Sequence, residues 1–173
     1  PGNLHQCRPK GKGAHVQVAI SYTTGPVYDI EYYVNYAKAV ENAGADSICL
    51  KDMAGLLVPY HTCDLVKALK ENVKIPIQIH SHFTAGISDM VMMEAIEAGA
   101  DVIDTALSPL AQGTSHPATE SMVAALAGTP YDTGLDLKKL NEVSRHFTEL
   151  RHKYLQNGLL NPKMLEVDTK ALI

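Results

Sequence analysis

Hydrophobic positions along the chain fall into two alternating patterns. Short strand-like segments occur at His15–Ile20, Ser47–Leu50, Ile75–Ile79 and Val102–Leu107. The apolar run Ile75–Ile79 has the composition of a buried parallel strand. Between the segments apolar residues recur at every third or fourth position, the spacing of a helix with one buried side. Asp29 is placed to cap a helix running to about Ala43, with Ile30, Val34, Ala37 and Val40 on its inner side and Gly44 closing it. Further helices are predicted over about Tyr60–Asn72, Ser88–Ala98 and Ala118–Ala127. A long last helix begins near Asp136, with Leu140, Val143, Phe147, Leu150 and Tyr154 on its apolar face, packed on the outside or base of the fold. Asn3–Arg8 reads as a helix remnant, interrupted by Pro9, Gly11 and Gly13.

The alternation is a repeat. Gly13-Ala14-His15, Gly44-Ala45-Asp46 and Gly99-Ala100-Asp101 mark one helix-to-strand turn three times, and the strand starts follow one another at a nearly constant interval. Strand–helix repeats imply a parallel sheet with right-handed crossovers, either doubly wound or a (βα)₈ barrel. Polar residues gather where each strand ends: Tyr22 and Thr23, Lys51 and Asp52, His80 and His82, Asp104 and Thr105. That favours an α/β TIM barrel, whose chemistry sits on the C-terminal face. Such barrels need roughly 250 residues. This chain has 173 and is read as supplying the last four βα units. Residues 1–130 are expected to form that C-terminal half of the barrel and 131–173 a helical extension. The unpaired edges and the apolar stop at Ala171-Leu172-Ile173 are read as signs of one part of something larger.

Composition narrows the function classes. With 46% hydrophobic and 20% charged residues the chain can build a real core. A net charge of −4 offers no basic patch for nucleic acid. No apolar run is long enough for a membrane span, and nothing N-terminal resembles a signal peptide. Cys7, Cys49 and Cys63 are odd in number and irregularly spaced, which argues against a disulfide framework and for a reducing cytoplasm.

The chemistry concentrates in two places. His80 and His82 are spaced i, i+2 at the end of an extended run, so they point the same way. Two such imidazoles can share a metal ion, or be no more than polar residues where a strand leaves the core. Lys51 closes the preceding strand, where a cation is costly unless paired or modified. It either forms an ion pair with Asp52 or another acid, or adds carbon dioxide to become a carbamate, an anionic oxygen ligand that would join His80 and His82. His116, in the loop before Pro117, is a candidate pocket wall. Tyr22 and Thr105 are placed to face the pocket, His61 to be solvated, and Met92, Met93 and Met122 to pack.

Lys51-Asp52-Met53-Ala54-Gly55-Leu56-Leu57, His80-Ser81-His82-Phe83-Thr84-Ala85-Gly86, Asp104-Thr105-Ala106 and Gly113-Thr114-Ser115-His116-Pro117-Ala118-Thr119-Glu120-Ser121 together resemble the carboxyltransferase domain of biotin-dependent enzymes. The family comprises pyruvate carboxylase (notably its two-subunit form), the oxaloacetate decarboxylase α subunit and the transcarboxylase large subunit. The resemblance runs from about Tyr22 to Tyr154 and includes Asp132-Thr133-Gly134-Leu135-Asp136. It implies a (βα)₈ barrel and a divalent metal (Zn, Mn or Co) held by carbamylated Lys51 with His80 and His82. It also implies carboxyl transfer between oxaloacetate or pyruvate and biotin. Biotin would arrive on a separate carrier domain, since the chain has no Met-Lys-Met motif. A homo-oligomer or multi-subunit complex is expected, with membrane subunits only in a decarboxylase pump.

Three departures stand out. Pro1–Gly13 is shorter than the family's helix there and contains Pro9. The family's aspartate ligand and its substrate-binding arginine and glutamine belong to the first half of the barrel, and a threonine implicated in proton transfer lies beyond residue 173. Phe83 replaces the aspartate that follows the second histidine in many pyruvate carboxylases, which fits the two-subunit or decarboxylase branches better. Two alternatives stand beside carboxyl transfer. One is a Claisen-type metallolyase resembling isopropylmalate synthase or hydroxymethylglutaryl-CoA lyase, which Lys51 and the Gly-Thr-Ser-His-Pro run oppose. The other is a catalytically inert half-barrel.

Overall fold

Ile48, Leu50, Ile77 and Ile79 are completely buried, and every second position between and beside them is polar or small. That division builds the sheet. The computed structural model describes residues 13–172; the Asn3–Arg8 segment with Cys7, and Ile173, lie outside them. Four strands, β1 (Gln17–Ser21), β2 (Ser47–Asp52), β3 (Ile77–Ser81) and β4 (Val102–Ile103), pair in parallel in the order β1-β2-β3-β4. Helices α1 (Ile30–Asn42), α2 (Pro59–Asn72), α3 (Ser88–Glu97) and α4 (Thr119–Leu126) follow the strands in turn, and α5 (Leu137–Gln156) ends the helical part. An order that never reverses is the order of a barrel wall; a doubly wound sheet has a switch point.

Register shows which side chains face the helices. Ile20, Leu50 and Ile79 lie in line across the strands, as do Ile48 and Ile77. They join Tyr33, Ala37 and Val40 of α1, Leu65, Val66 and Leu69 of α2, and Val91 and Met92 of α3 in one core. Each such buried aliphatic contributes about 1.5–3 kcal/mol. The other phase is polar. Gln17 Nε2 donates to Ser47 Oγ at 3.1 Å and to Gln78 Oε1 at 3.0 Å, and Gln78 Nε2 donates to Asp104 Oδ1 at 2.8 Å. Cys49 shares this phase, and burial pushes its thiol up to about 11. Cys49 and Cys63 are free thiols.

The repeated turn is a structural device. Gly44 and Gly99 take the left-handed conformation at φ +91° and +99°, ending α1 and α3 where a Cβ is disfavoured. The aspartate two residues on fastens the neighbouring strand. Asp46 Oδ2 accepts from the Val16 amide at 2.9 Å, and Asp101 Oδ2 from the Ile77 amide at 2.8 Å. Asp101 also meets Lys70 Nζ at 2.6 Å. Burial alone would raise its carboxyl, but Lys70 and the Ile77 amide hold it below the ordinary value.

Three expectations are corrected. β4 covers only Val102–Ile103, because the chain beyond Asp104 turns to its own next segment: the Ala106 amide donates to Pro117 O, and the Thr119 amide donates to Ala106 O. α5 packs on the outside, against α4 and the turn at Ser108–Leu110, through part of the expected stripe: Leu140, Phe147 and Leu150 are half-buried. Ser144 is its buried residue and binds Glu120, which also accepts from the Ser108 amide and hydroxyl, while Val143 and Tyr154 remain exposed. His61 is half-buried, 6.0 Å from the Tyr22 ring. Met92 and Met122 are core residues and Met93 packs on that core, as expected. No helix among the described residues is long and apolar enough to cross a membrane.

Asp52 ties β2 to the loop after it. Fully buried, it accepts from the Leu56 and Leu57 amides at 3.0 and 2.9 Å and from Ser81 Oγ at 3.0 Å. Removing the carboxylate orphans three donors. Asp52→Ala is expected to lower unfolding free energy by about 3 kcal/mol, seen as a reduced urea midpoint at constant m-value. An unchanged midpoint refutes this account.

Candidate metal centre

Strand alternation decides which strand-end residues meet. Lys51 and His80 are register partners on β2 and β3, and Ser21 stands opposite Lys51 on β1. Lys51, His80 and Asp104 therefore share the polar phase, with His82 one step further along it. Asp52 and Tyr22 take the opposite phase. So the Lys51–Asp52 ion pair does not form, and among the described residues Lys51 Nζ has no hydrogen-bond or ion-pair partner. Tyr22, expected at the pocket, instead stacks on Tyr33 at 5.4 Å inside the core. Burial pushes its phenol up to about 12. Thr105 also turns away and pairs with Thr119 at 2.8 Å.

Each imidazole is fixed through Nδ1. His80 Nδ1 lies 2.6 Å from Asp104 Oδ2, and His82 Nδ1 lies 2.6 Å from the Thr114 carbonyl oxygen. A carbonyl or carboxylate oxygen accepts, so the proton is on Nδ1 and Nε2 keeps its lone pair. The two Nε2 atoms are 3.4 Å apart. Two imidazole nitrogens at that distance share either a proton or a metal ion. For nitrogen ligands about 2.0–2.1 Å from a tetrahedral ion the spacing is roughly 3.4 Å. The residues fit a metal.

His116 joins them. The loop that carries it reverses at Gln112 and Gly113, both left-handed at φ +66° and +54°. Gln112 is held there by its amide bond to His116 O at 2.8 Å and by the Ser115 amide on its own carbonyl at 2.9 Å. The Phe83 amide donates to Ser115 O at 2.7 Å, which lays the loop along the end of β3. His116 Nδ1 then donates to Ser81 O at 2.9 Å, and its ring sits 4.3 Å from that of His80 and 4.7 Å from that of His82. Burial, with His80 and His82 beside it, holds this imidazole below its ordinary value. The sequence marked His116 only as a pocket candidate, and Asp104 only as a polar strand end. The pairing of Asp104 with His80 follows from their common phase; the return of the His116 loop has no local signature.

The tail crosses the same end of the sheet. The Thr114 amide donates to Met164 O and the Asp168 amide to Thr84 O, each at 2.8 Å. Phe83 is buried beneath these loops.

A family model described as HMGL-like matches residues 8–146. The chain belongs to the HMGL-like family. Within it, the chain is 54% identical over 164 residues to a pyruvate carboxylase subunit of Methanocaldococcus jannaschii, covering 95% of this chain and 29% of that protein. It is 45% identical over 147 residues to the methylmalonyl-CoA carboxyltransferase 5S subunit of Propionibacterium freudenreichii subsp. shermanii, covering 84% and 29%. The carboxyl transferase domain of Rhizobium etli pyruvate carboxylase, solved with pyruvate and biocytin, superimposes with a TM-score of 0.79 at 40% identity, covering 81% of this chain and 24% of that one. The four units are thus part of the TIM-barrel carboxyltransferase fold of this family, and the chain spans less than a third of the length of each of these relatives.

Gly55 joins the loop after β2 to the end of β3. At φ +69° a Cβ there would come within 3.0 Å of His82 O and 3.3 Å of the Ala85 amide nitrogen, both backbone atoms. Gly55→Ala is expected to cost about 2 kcal/mol, with amide NMR shifts at His82 and Ala85. A variant as stable as the parent with unmoved signals contradicts this contact.

Proposed function

We propose that this chain contributes to carboxyl transfer between oxaloacetate or pyruvate and a biotin prosthetic group, as part of a larger chain that completes the barrel. In this reading Lys51, His80 and His82 hold a divalent cation (Zn, Mn or Co), and biotin is delivered by a separate carrier domain within a homo-oligomer or multi-subunit complex. Carboxylases and a carboxyltransferase stand among the relatives, which favours carboxyl transfer over the Claisen-type alternative. A cytoplasmic setting goes with it; membrane subunits would enter only in a decarboxylase pump.

The observation that carries the reading is the facing pair of Nε2 lone pairs at 3.4 Å beside a lysine with no partner among the described residues. Lys51 is next to His80 across the strands. Its neutral amine adds to carbon dioxide: the nitrogen forms a bond to carbon, one proton leaves to solvent, and a carbamate anion results. That converts a cation into an oxygen donor on the same side as two nitrogens. Asp104 fixes the ring and tautomer of His80, the Thr114 carbonyl those of His82. A bound divalent cation supplies a Lewis acid that polarises a keto acid's carbonyl and offsets the negative charge developing as a C–C bond breaks or forms.

In a preparation containing the whole barrel and the biotin carrier, Lys51→Ala should abolish carboxyl transfer and lower the metal content, read by a coupled pyruvate assay and by elemental analysis. Parental rates in that variant would sink the carbamate assignment. Assaying the 173-residue chain by itself with oxaloacetate, metal and free biotin tests the alternative of an inert half-barrel, which sustained turnover would exclude.

A further inference from the structure

We propose that His116 is a third nitrogen ligand, so that His80, His82 and His116 bind a divalent cation without any oxygen donor from Lys51. This rests on the reading of the pocket as a metal centre and adds a ligand to it. The ligating atoms of the three residues lie within 4.8 Å of one another. All three imidazoles donate through Nδ1, to Asp104 Oδ2, Thr114 O and Ser81 O. Each is therefore left with a lone pair on Nε2.

Those anchors come from different parts of the chain. Asp104 follows β4, Thr114 and His116 belong to one loop, and Ser81 ends β3. The cluster is thus set by the tertiary fold, whereas His80 and His82 owe their common direction to strand geometry. The loop accepts two consecutive left-handed residues, one of them Gln112, to bring His116 back over β3. A non-glycine residue at positive φ costs on the order of 1 kcal/mol, which the loop's hydrogen bonds to β3 and within itself offset. Among the described residues no N–H or O–H donates to the Nε2 atom of His116. Closing on one ion requires His116 to draw in by up to about 1.4 Å, from a spread within 4.8 Å to the tetrahedral spacing of roughly 3.4 Å.

Three imidazoles change which ion is preferred. Nitrogen donors suit Zn²⁺ and Co²⁺, whereas Mg²⁺ and Ca²⁺ take oxygen. The chain is expected to select Zn²⁺ or Co²⁺ even where Lys51 carries no carbamate.

The test uses the 173-residue chain, its Lys51→Ala variant and a His116→Gln variant, titrated with Zn²⁺ against a chromophoric chelator in buffer freed of carbon dioxide. Gln can keep a donor to Ser81 O while removing the third imidazole. Expected are one Zn²⁺ per chain in Lys51→Ala, an X-ray absorption signature of three imidazoles, and no competition by millimolar Mg²⁺. His116→Gln should bind Zn²⁺ at least tenfold more weakly. Two imidazoles in Lys51→Ala, or undiminished affinity in a folded His116→Gln, overturns the role of His116 and leaves the Lys51–His80–His82 site standing. Failure of the unaltered chain to bind Zn²⁺ in bicarbonate overturns both. Because the imidazole count is made in a variant that retains His116, misfolding of His116→Gln cannot hide the answer.

Discussion

A parallel strand between a helical layer and an open face must give alternate side chains to each, and the rest of this structure depends on that constraint. Where the strands lie in register, the division extends across the whole sheet. Ile20, Leu50 and Ile79 make one row against the helices, and Ser21, Lys51 and His80 make the adjacent row on the other side. A shift of β2 by one residue would bury Lys51 and expose Asp52, losing the core and the site together. Packing and chemistry are specified by one register.

A second constraint acts on orientation. Imidazoles at a strand end can rotate and exchange tautomers; here Nδ1 of each is bound to an oxygen of a different segment. Preorganisation of this kind removes rotamer freedom before any ligand arrives. The buried carboxylate of Asp52 does the same for the backbone, holding the loop after β2 to Ser81. The segment 164–168 fastens Thr114 and Thr84 from outside. The flexible parts of the site are thus attached to its rigid parts by hydrogen bonds distributed over much of the chain.

Much of this was legible in the sequence because it is periodic. Helical spacing located α1 to α5 to within a residue or two, and period-two spacing aligned His80 with His82. The same phase argument, carried one residue further, separates Lys51 from Asp52 and Asp104 from Thr105; grouping these pairs as strand-end polar residues concealed it and misplaced Tyr22. Other features were not legible. The end of β4 after Ile103 depends on Ala106 finding partners at Pro117 and Thr119, a competition between distant segments. The burial of Ser144 between Leu140 and Phe147 depends on Glu120 of α4 waiting there to accept its hydroxyl. The arrival of His116 depends on a loop whose reversal is set by two left-handed residues, only one of them glycine.

The two edges of the sheet are unequal. β1 presents five residues, among them the exposed Gln17, Ala19 and Ser21, whereas β4 presents two. An exposed strand edge offers unpaired amides and carbonyls to a further strand, and a short edge offers few of them. The same inequality gives the molecule a polarity: whatever extends the sheet can add strand by strand at β1, but must reach β4 largely through side chains and loops.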